Sequence, residues 1–157
     1  MGPVVPLSRV VLRELGAKMV GMRAWRSRAG SGPGSIFTLE FGAALPGKTT
    51  QGEFSLMVYC AWRLVAADQG ILCSWHDDSD GVLAPALAAL EGSVVEVAEV
   101  SEWFDLTLGF SNGQALHLLN DFSPHQDFDT SWFVTYQGQS HYCVNTDNSL
   151  TLESATR

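Results

Sequence analysis

The stretch LEFGAALPGKTT, residues 39–50, sets Gly42, Gly47, Lys48 and Thr49 in the spacing G-x-x-x-x-G-K-[ST] behind a strand-like run. In a phosphate-binding loop that spacing works because loop amides and the N-terminus of a following helix converge on the phosphate oxygens. No such helix is encoded here. TTQGEFSLMVY carries Gly52 and then alternates like a strand, and the nearest strand-terminal carboxylate for a magnesium ion is Asp121 in ALHLLND. The spacing therefore predicts an exposed hairpin loop, with Lys48 as a local anion contact.

Two acidic stretches invite a metal, since hard cations want several carboxylate oxygens on one turn. WHDDSDG holds Trp75, His76, Asp77, Asp78 and Asp80, and PHQDFD holds His125, Asp127 and Asp129. The first departs from D-x-[DN]-x-[DN]-G and has no closing Glu, and the histidines lack H-x-x-x-H spacing. Both read as solvated loops. With Trp103, their charged and aromatic side chains are the candidate partner contacts.

His141 and Cys143 stand two apart on an expected strand, so they leave one face, as a thiol nucleophile and its base would. Strand neighbours at i and i+2 start roughly 7 Å apart, however, beyond the reach that proton transfer needs. The cysteine matching Cys143 in the comparison below, Cys73, has Ile71 in the histidine's place. The pattern predicts core cysteines. G-x-S-x-G is absent as well, so no catalytic, cofactor-binding or metal-ligating set is assigned.

At 157 residues the chain fits one domain, and 46% hydrophobic against 17% charged residues is the balance of a packed protein. Three cysteines without C-x-x-C spacing imply free thiols rather than a disulfide framework. Apolar runs are short, and Arg9 and Arg13 interrupt the N-terminal one, so the expectation is a soluble, cytoplasmic chain. The net charge of -8 is uneven: residues 1–30 hold six basic groups against Glu14 alone, and the remainder holds three against sixteen acids. That asymmetry predicts docking of the basic part on an acidic surface, in the same chain or a second copy, and disfavours nucleic acid.

The elements that must position these residues repeat. WRLVAADQGILC, from Trp62 to Cys73, parallels WFVTYQGQSHYC, from Trp132 to Cys143; FTLEFG from Phe37 parallels LTLGFS from Leu106; LRELGAKMVGM from Leu12 parallels LAALEGSVVEV from Leu87. Three matches in one order predict a tandem duplication. Leu7, Val10, Val11 and Leu15 form one face of a first helix that Gly16 would end, and Leu83, Leu87 and Leu90 the face of a second, with Pro85 in its first turn and Gly92 past its end. Val20, Met22 and Ala24 would open a strand, residues 26–35 form a loop, and residues 120–131 an insertion. Gln137 and Gly138 would make a two-residue turn that sets Trp132 opposite Cys143, with a bulge at Gly70 in the first copy.

The expected fold is α+β: one pseudo-symmetric domain of two sheets or a barrel, each unit a helix with about four antiparallel strands. The first unit spans 6–76, the second 82–145, and 146–157 is a tail. Trp62 and Trp132 are expected in the core, and Trp25, Trp75 and Trp103 near loops.

LEGSVVEVAEVSEWFDLTLGFSNGQAL, residues 90–116, resembles small uncharacterised bacterial domains in which a helix and Gly precede a DLTL-F-NG-L hairpin, some of them similar to immunity or accessory proteins of toxin systems. The resemblance implies a non-enzymatic protein-binding or assembly role, without a cofactor and with a protein partner or self-association, a homodimer included. The rival expectation is a small-molecule-binding protein or enzyme with a cleft between the repeats.

Overall fold

Alternating apolar residues bury Phe37, Leu39 and Phe41 on β3 (Phe37–Ala44) and Phe54, Leu56 and Val58 on β4 (Gly52–Val58). The same period buries Trp62 and Leu64 on β5 (Ala61–Ala66), Leu106, Leu108 and Phe110 on β8 (Leu106–Phe110), and Leu116 and Leu118 on β9 (Gln114–Leu119). Apolar sheet faces of this kind must cover one another. In the computed structural model, which describes residues 4–29, 35–121, 123, 125 and 129–154, they do.

The other strands are β1 (Val4–Pro6), β2 (Ala24–Ala29), β6 (Gly70–Ser74), β7 (Val95–Val100), β10 (Thr130–Tyr136), β11 (Ser140–Asn145) and β12 (Leu150–Ser154). A seven-stranded antiparallel sheet runs β1-β12-β11-β10-β4-β3-β2, and a five-stranded one runs β6-β5-β9-β8-β7. Both are open, so the fold is α+β with two sheets and no barrel. Phe41 stacks on Phe110 from sheet to sheet with ring centroids 6.3 Å apart, and Phe37 meets Trp62 edge-on at 4.8 Å.

Each sheet joins segments distant in sequence. The meander β2-β3-β4 continues into β10-β11-β12 through the β4·β10 ladder, and β7-β8-β9 continues into β5-β6 through β5·β9. The helices cross over likewise. Helix α1 (Arg9–Met19) packs against β7, and α2 (Ala84–Ala88), entered by a π-helical turn at Ser79–Leu83, packs against β2.

Two indoles tie these pieces together. Trp62 on β5 donates from Nε1 to the Ser35 carbonyl at 2.8 Å, two residues before β3, and Trp132 on β10 donates to the Phe104 carbonyl at 3.0 Å, two residues before β8. Both rings are buried, as the sequence predicts.

Local expectations differ from the structure in several places. Helix α1 runs through Gly16 and buries Leu12, Leu15, Gly16 and Met19, while Val10 is 55% exposed. Gly16 does not end the helix; it lies buried within it, where a Cβ would meet the Cβ of Ala98 on β7 at an ordinary contact distance of 3.6 Å. Val20 is exposed beyond the helix, and the strand starts only at Ala24, taking in Arg26–Ala29 that read as loop; most of the 120–131 insertion lies outside the described residues. Leu83, Leu87 and Leu90 are buried, and Gly92 has φ +94°. The expected tail forms β12, which pairs with β11 and β1. Trp132 faces Val144 and Phe133 faces Cys143, because Tyr136 pairs with Ser140 across a three-residue connection. In the first hairpin the irregularity lies between Leu64 and Val65, leaving Leu72 unpaired opposite them, not at Gly70.

Trp62→Phe and Trp132→Phe each leave a carbonyl without its donor, so each variant is expected to lose about 1–3 kcal/mol of unfolding free energy in urea titrations. Unchanged midpoints would show that these bonds are dispensable.

Candidate functional site

Direct cross-strand partners share a face of a sheet. The pairings therefore carry one rank of side chains across the outer face of the seven-stranded sheet: Arg26, Glu40, Ser55, Thr135, His141 and Glu153. Glu40 is buried. It accepts from the Gly52 amide at 3.0 Å and the Ser55 hydroxyl at 2.8 Å. Burial pushes its carboxyl above the ordinary value, against the pull of those two bonds and of the Arg26 charge. His141 places Nδ1 2.6 Å from the Thr135 hydroxyl oxygen, and burial lowers its pKa despite the nearby Glu153.

Glu40 and His141 are three strand spacings apart, roughly 14 Å, too far to act as an acid and base on one bond. Cys143 shares the face with His141, yet its thiol reaches Glu153 Oε2 at 3.3 Å and the His141 carbonyl at 3.8 Å. Burial and the Glu153 carboxylate push that thiol up to about 12, and burial pushes Cys60 up to about 11. Neither carries a thiolate at neutral pH, which a nucleophile needs. The arrangement links neighbouring strands by side-chain hydrogen bonds across the outer face.

The outer face of the five-stranded sheet is built otherwise. One rank runs Ile71, Val65, Ala115, Gly109, Val97 over all five strands, with Ile71 61% and Val97 42% exposed. Gly109 lies under Val97, whose Cβ stands 3.2 Å from where a glycine Cβ would be built. The next rank holds Arg63, His117, Thr107 and Glu99, with His117 Nδ1 3.0 Å from the Thr107 hydroxyl. A shallow groove of about 300 Å³ follows Val65, Glu96, Val97 and Gln114, and the side-chain carbonyl oxygen of Gln114 is buried there without a hydrogen-bond partner.

The residues singled out from sequence are scattered over loops. Leu45-Pro46-Gly47-Lys48 is a turn in which Gly47 has φ +72° and the Lys48 amide donates to the Leu45 carbonyl at 2.9 Å. That amide is spent inside the turn, and β4 follows where a nucleotide site needs a helix. Asp77 accepts from the Ser74 amide at 2.9 Å and Asp78 from the Gly81 amide, so these two carboxylates close turns. Trp75 lies beside His76 with ring centroids 4.4 Å apart and is 39% exposed; Trp103 is 52% exposed. Asp80 is exposed, and Asp129 accepts from the Thr130 amide at 2.8 Å. His125 is exposed and Asp127 lies outside the described residues. Among the described residues no three His, Cys, Asp or Glu side chains are placed to hold a metal ion. Arg23 and Arg26 anchor on the carbonyls of Gly92 and Thr50, and Arg13 and Lys18 stay exposed on α1. No described helix is long and apolar enough to cross a membrane.

Sequence reasoning missed both outer faces. The signal for the apolar one was present in VEVAEV and RLVA, where Val97 and Val65 fall on the face opposite the core. Comparison with family models, with curated proteins and with solved structures finds no match.

With folded thiols at about 11 and about 12, Cys60 and Cys143 are expected to resist iodoacetamide at pH 8 and to react in urea; mass spectrometry of the alkylated peptides checks this. Glu40 has a folded pKa above its reference of 4.5, so its contribution is complete below that value and is lost as pH rises through the folded pKa. Glu40→Gln is expected to flatten this part of the stability profile in urea titrations between pH 4 and 8. An unchanged profile counts against the assignment.

Proposed function

We propose that the chain is a non-enzymatic protein-binding or assembly protein, of the kind that serves as an immunity or accessory protein in toxin systems, working in the cytoplasm. One observation carries the binding role: the apolar rank from Ile71 to Val97 on the outer face of the five-stranded sheet, exposed at both ends. A row of this kind gains by being covered. The seven-stranded sheet has the polar seam on its outer face, where hydrogen bonds within the chain meet that need.

We read the architecture as a tandem duplication whose units exchange hairpins, α1-β2-β3-β4-β5-β6 with α2-β7-β8-β9-β10-β11. Three observations support it. The indole bonds to Ser35 and Phe104 join positions 69 residues apart from tryptophans 70 apart. The ladders β2·β3 and β7·β8 slip at their starts, after Ala24 and after Val95. Each helix packs on the first strand of the other meander.

A second reading has a cleft in its favour. A space of about 600 Å³ lies between β2, β3, β4 and α2, lined by Arg28, Thr38, Met57, Ala84, Ala88 and Glu91 among others. Its ligand would be a small molecule meeting both a cation and an anion.

Chemical crosslinking in bacterial lysate separates the readings. Val65→Lys and Val97→Lys are expected to weaken capture of the bound protein about tenfold or more, with the melting temperature unchanged. Capture indifferent to both variants, together with stabilisation by a metabolite that Arg28→Ala abolishes, would replace the first reading by the second.

A further inference from the structure

The outer face of the five-stranded sheet is complementary to itself. One rank runs Arg63, His117, Thr107, Glu99 over β5, β9, β8 and β7, and the next runs Val65, Ala115, Gly109, Val97 over the same strands. A two-fold axis parallel to the strands, midway between β9 and β8, turns each rank end for end. It sets Arg63 over Glu99 of a second copy, His117 over Thr107, Val65 over Val97 and Ala115 over Gly109. Within these two ranks each charge meets its opposite and each apolar side chain meets an apolar position, while Ile71 on β6 extends past β7 of the second copy.

We infer that this face binds a second copy of the chain, sheet on sheet, in an isologous dimer. The inference rests on the reading of the face as a docking surface and names its occupant. The charges decide between occupants. The rank holds one cation and one anion about three strand spacings apart, roughly 14 Å, so a partner of uniform charge would satisfy one end and oppose the other. A second copy satisfies both. The small pair Ala115 and Gly109 sits next to the axis, where the two backbones can approach closely.

The four strands that overlap across the axis, of five or six residues each, present roughly 14 by 18 Å, below the standard size of a stable interface, so a weak, reversible dimer with Kd on the order of 100 µM is expected. Sedimentation velocity of the full chain from about 10 µM to about 1 mM reads it directly. Arg63→Glu and Glu99→Arg should each raise Kd about tenfold or more, because each reversal sets like charges together twice. Mixing the two variants should restore dimers, now heterodimers. The substituted glutamate of one copy then faces the substituted arginine of the other, and the native Glu99 of the first faces the native Arg63 of the second.

A wild type that stays monomeric up to about 1 mM overturns the inference, and so does a mixture that dimerises no better than its components. Circular dichroism of each variant separates lost dimerisation from lost folding. A monomeric wild type whose capture of a different protein still depends on Val97 would overturn the second copy while leaving the docking face in place.

Discussion

A buried indole gains by giving its N–H to an acceptor, and in this fold Trp62 and Trp132 give theirs to carbonyls of the segments that lead into the opposite sheet's strands. Trp62 belongs to the five-stranded sheet and holds Ser35, which leads into β3 of the seven-stranded one; Trp132 belongs to the seven-stranded sheet and holds Phe104, which leads into β8 of the five-stranded one. Each bond thus fixes one sheet against the other. The Phe37 ring against Trp62, and Phe41 against Phe110, then fill the space that those bonds define. Phe104 takes a positive φ of 64°, a conformation uncommon outside glycine, at the residue whose carbonyl the second indole needs.

With the inner faces committed to one core, the outer faces are free to differ. The seven-stranded sheet covers its outer side with side chains that bond one another, from the Glu40–Ser55 contact to the Thr135–His141 contact, and so buries polar atoms at little net cost. On the five-stranded sheet the comparable contact, His117 with Thr107, lies one rank away from Val97 and Ile71. The acids of the 75–81 segment belong to neither face. Asp77 and Asp78 stop the chain after β6 and start the turn into α2, which accounts for their spacing without a ligand.

Much of the inner architecture was legible in the sequence, because period-two burial leaves a direct mark: Phe37, Leu39 and Phe41, or Leu106, Leu108 and Phe110, declare their face by alternation alone. The buried tryptophans, and Leu83, Leu87 and Leu90 in and beside α2, were equally plain. What was not legible depended on partners far along the chain. Gly16 reads as a stop signal until α1 is seen to run on to Met19 against β7, and residues 150–154 read as a tail until β11 and β1 flank them. The polar rank could not be read at all, since Glu40, Ser55, Thr135 and His141 meet only through strand registers that no local pattern specifies.

The ladders β4·β10 and β5·β9 have a consequence for how the protein comes into being. As the chain leaves the ribosome, β4 emerges long before β10, and its open edge has no neighbour until about seventy further residues have followed. The β5 edge waits in the same way for β9. Neither sheet can be finished from the first half of the chain, so assembly is deferred until most of the polypeptide is made. Chaperones that shield naked strand edges then have a long window in which to act.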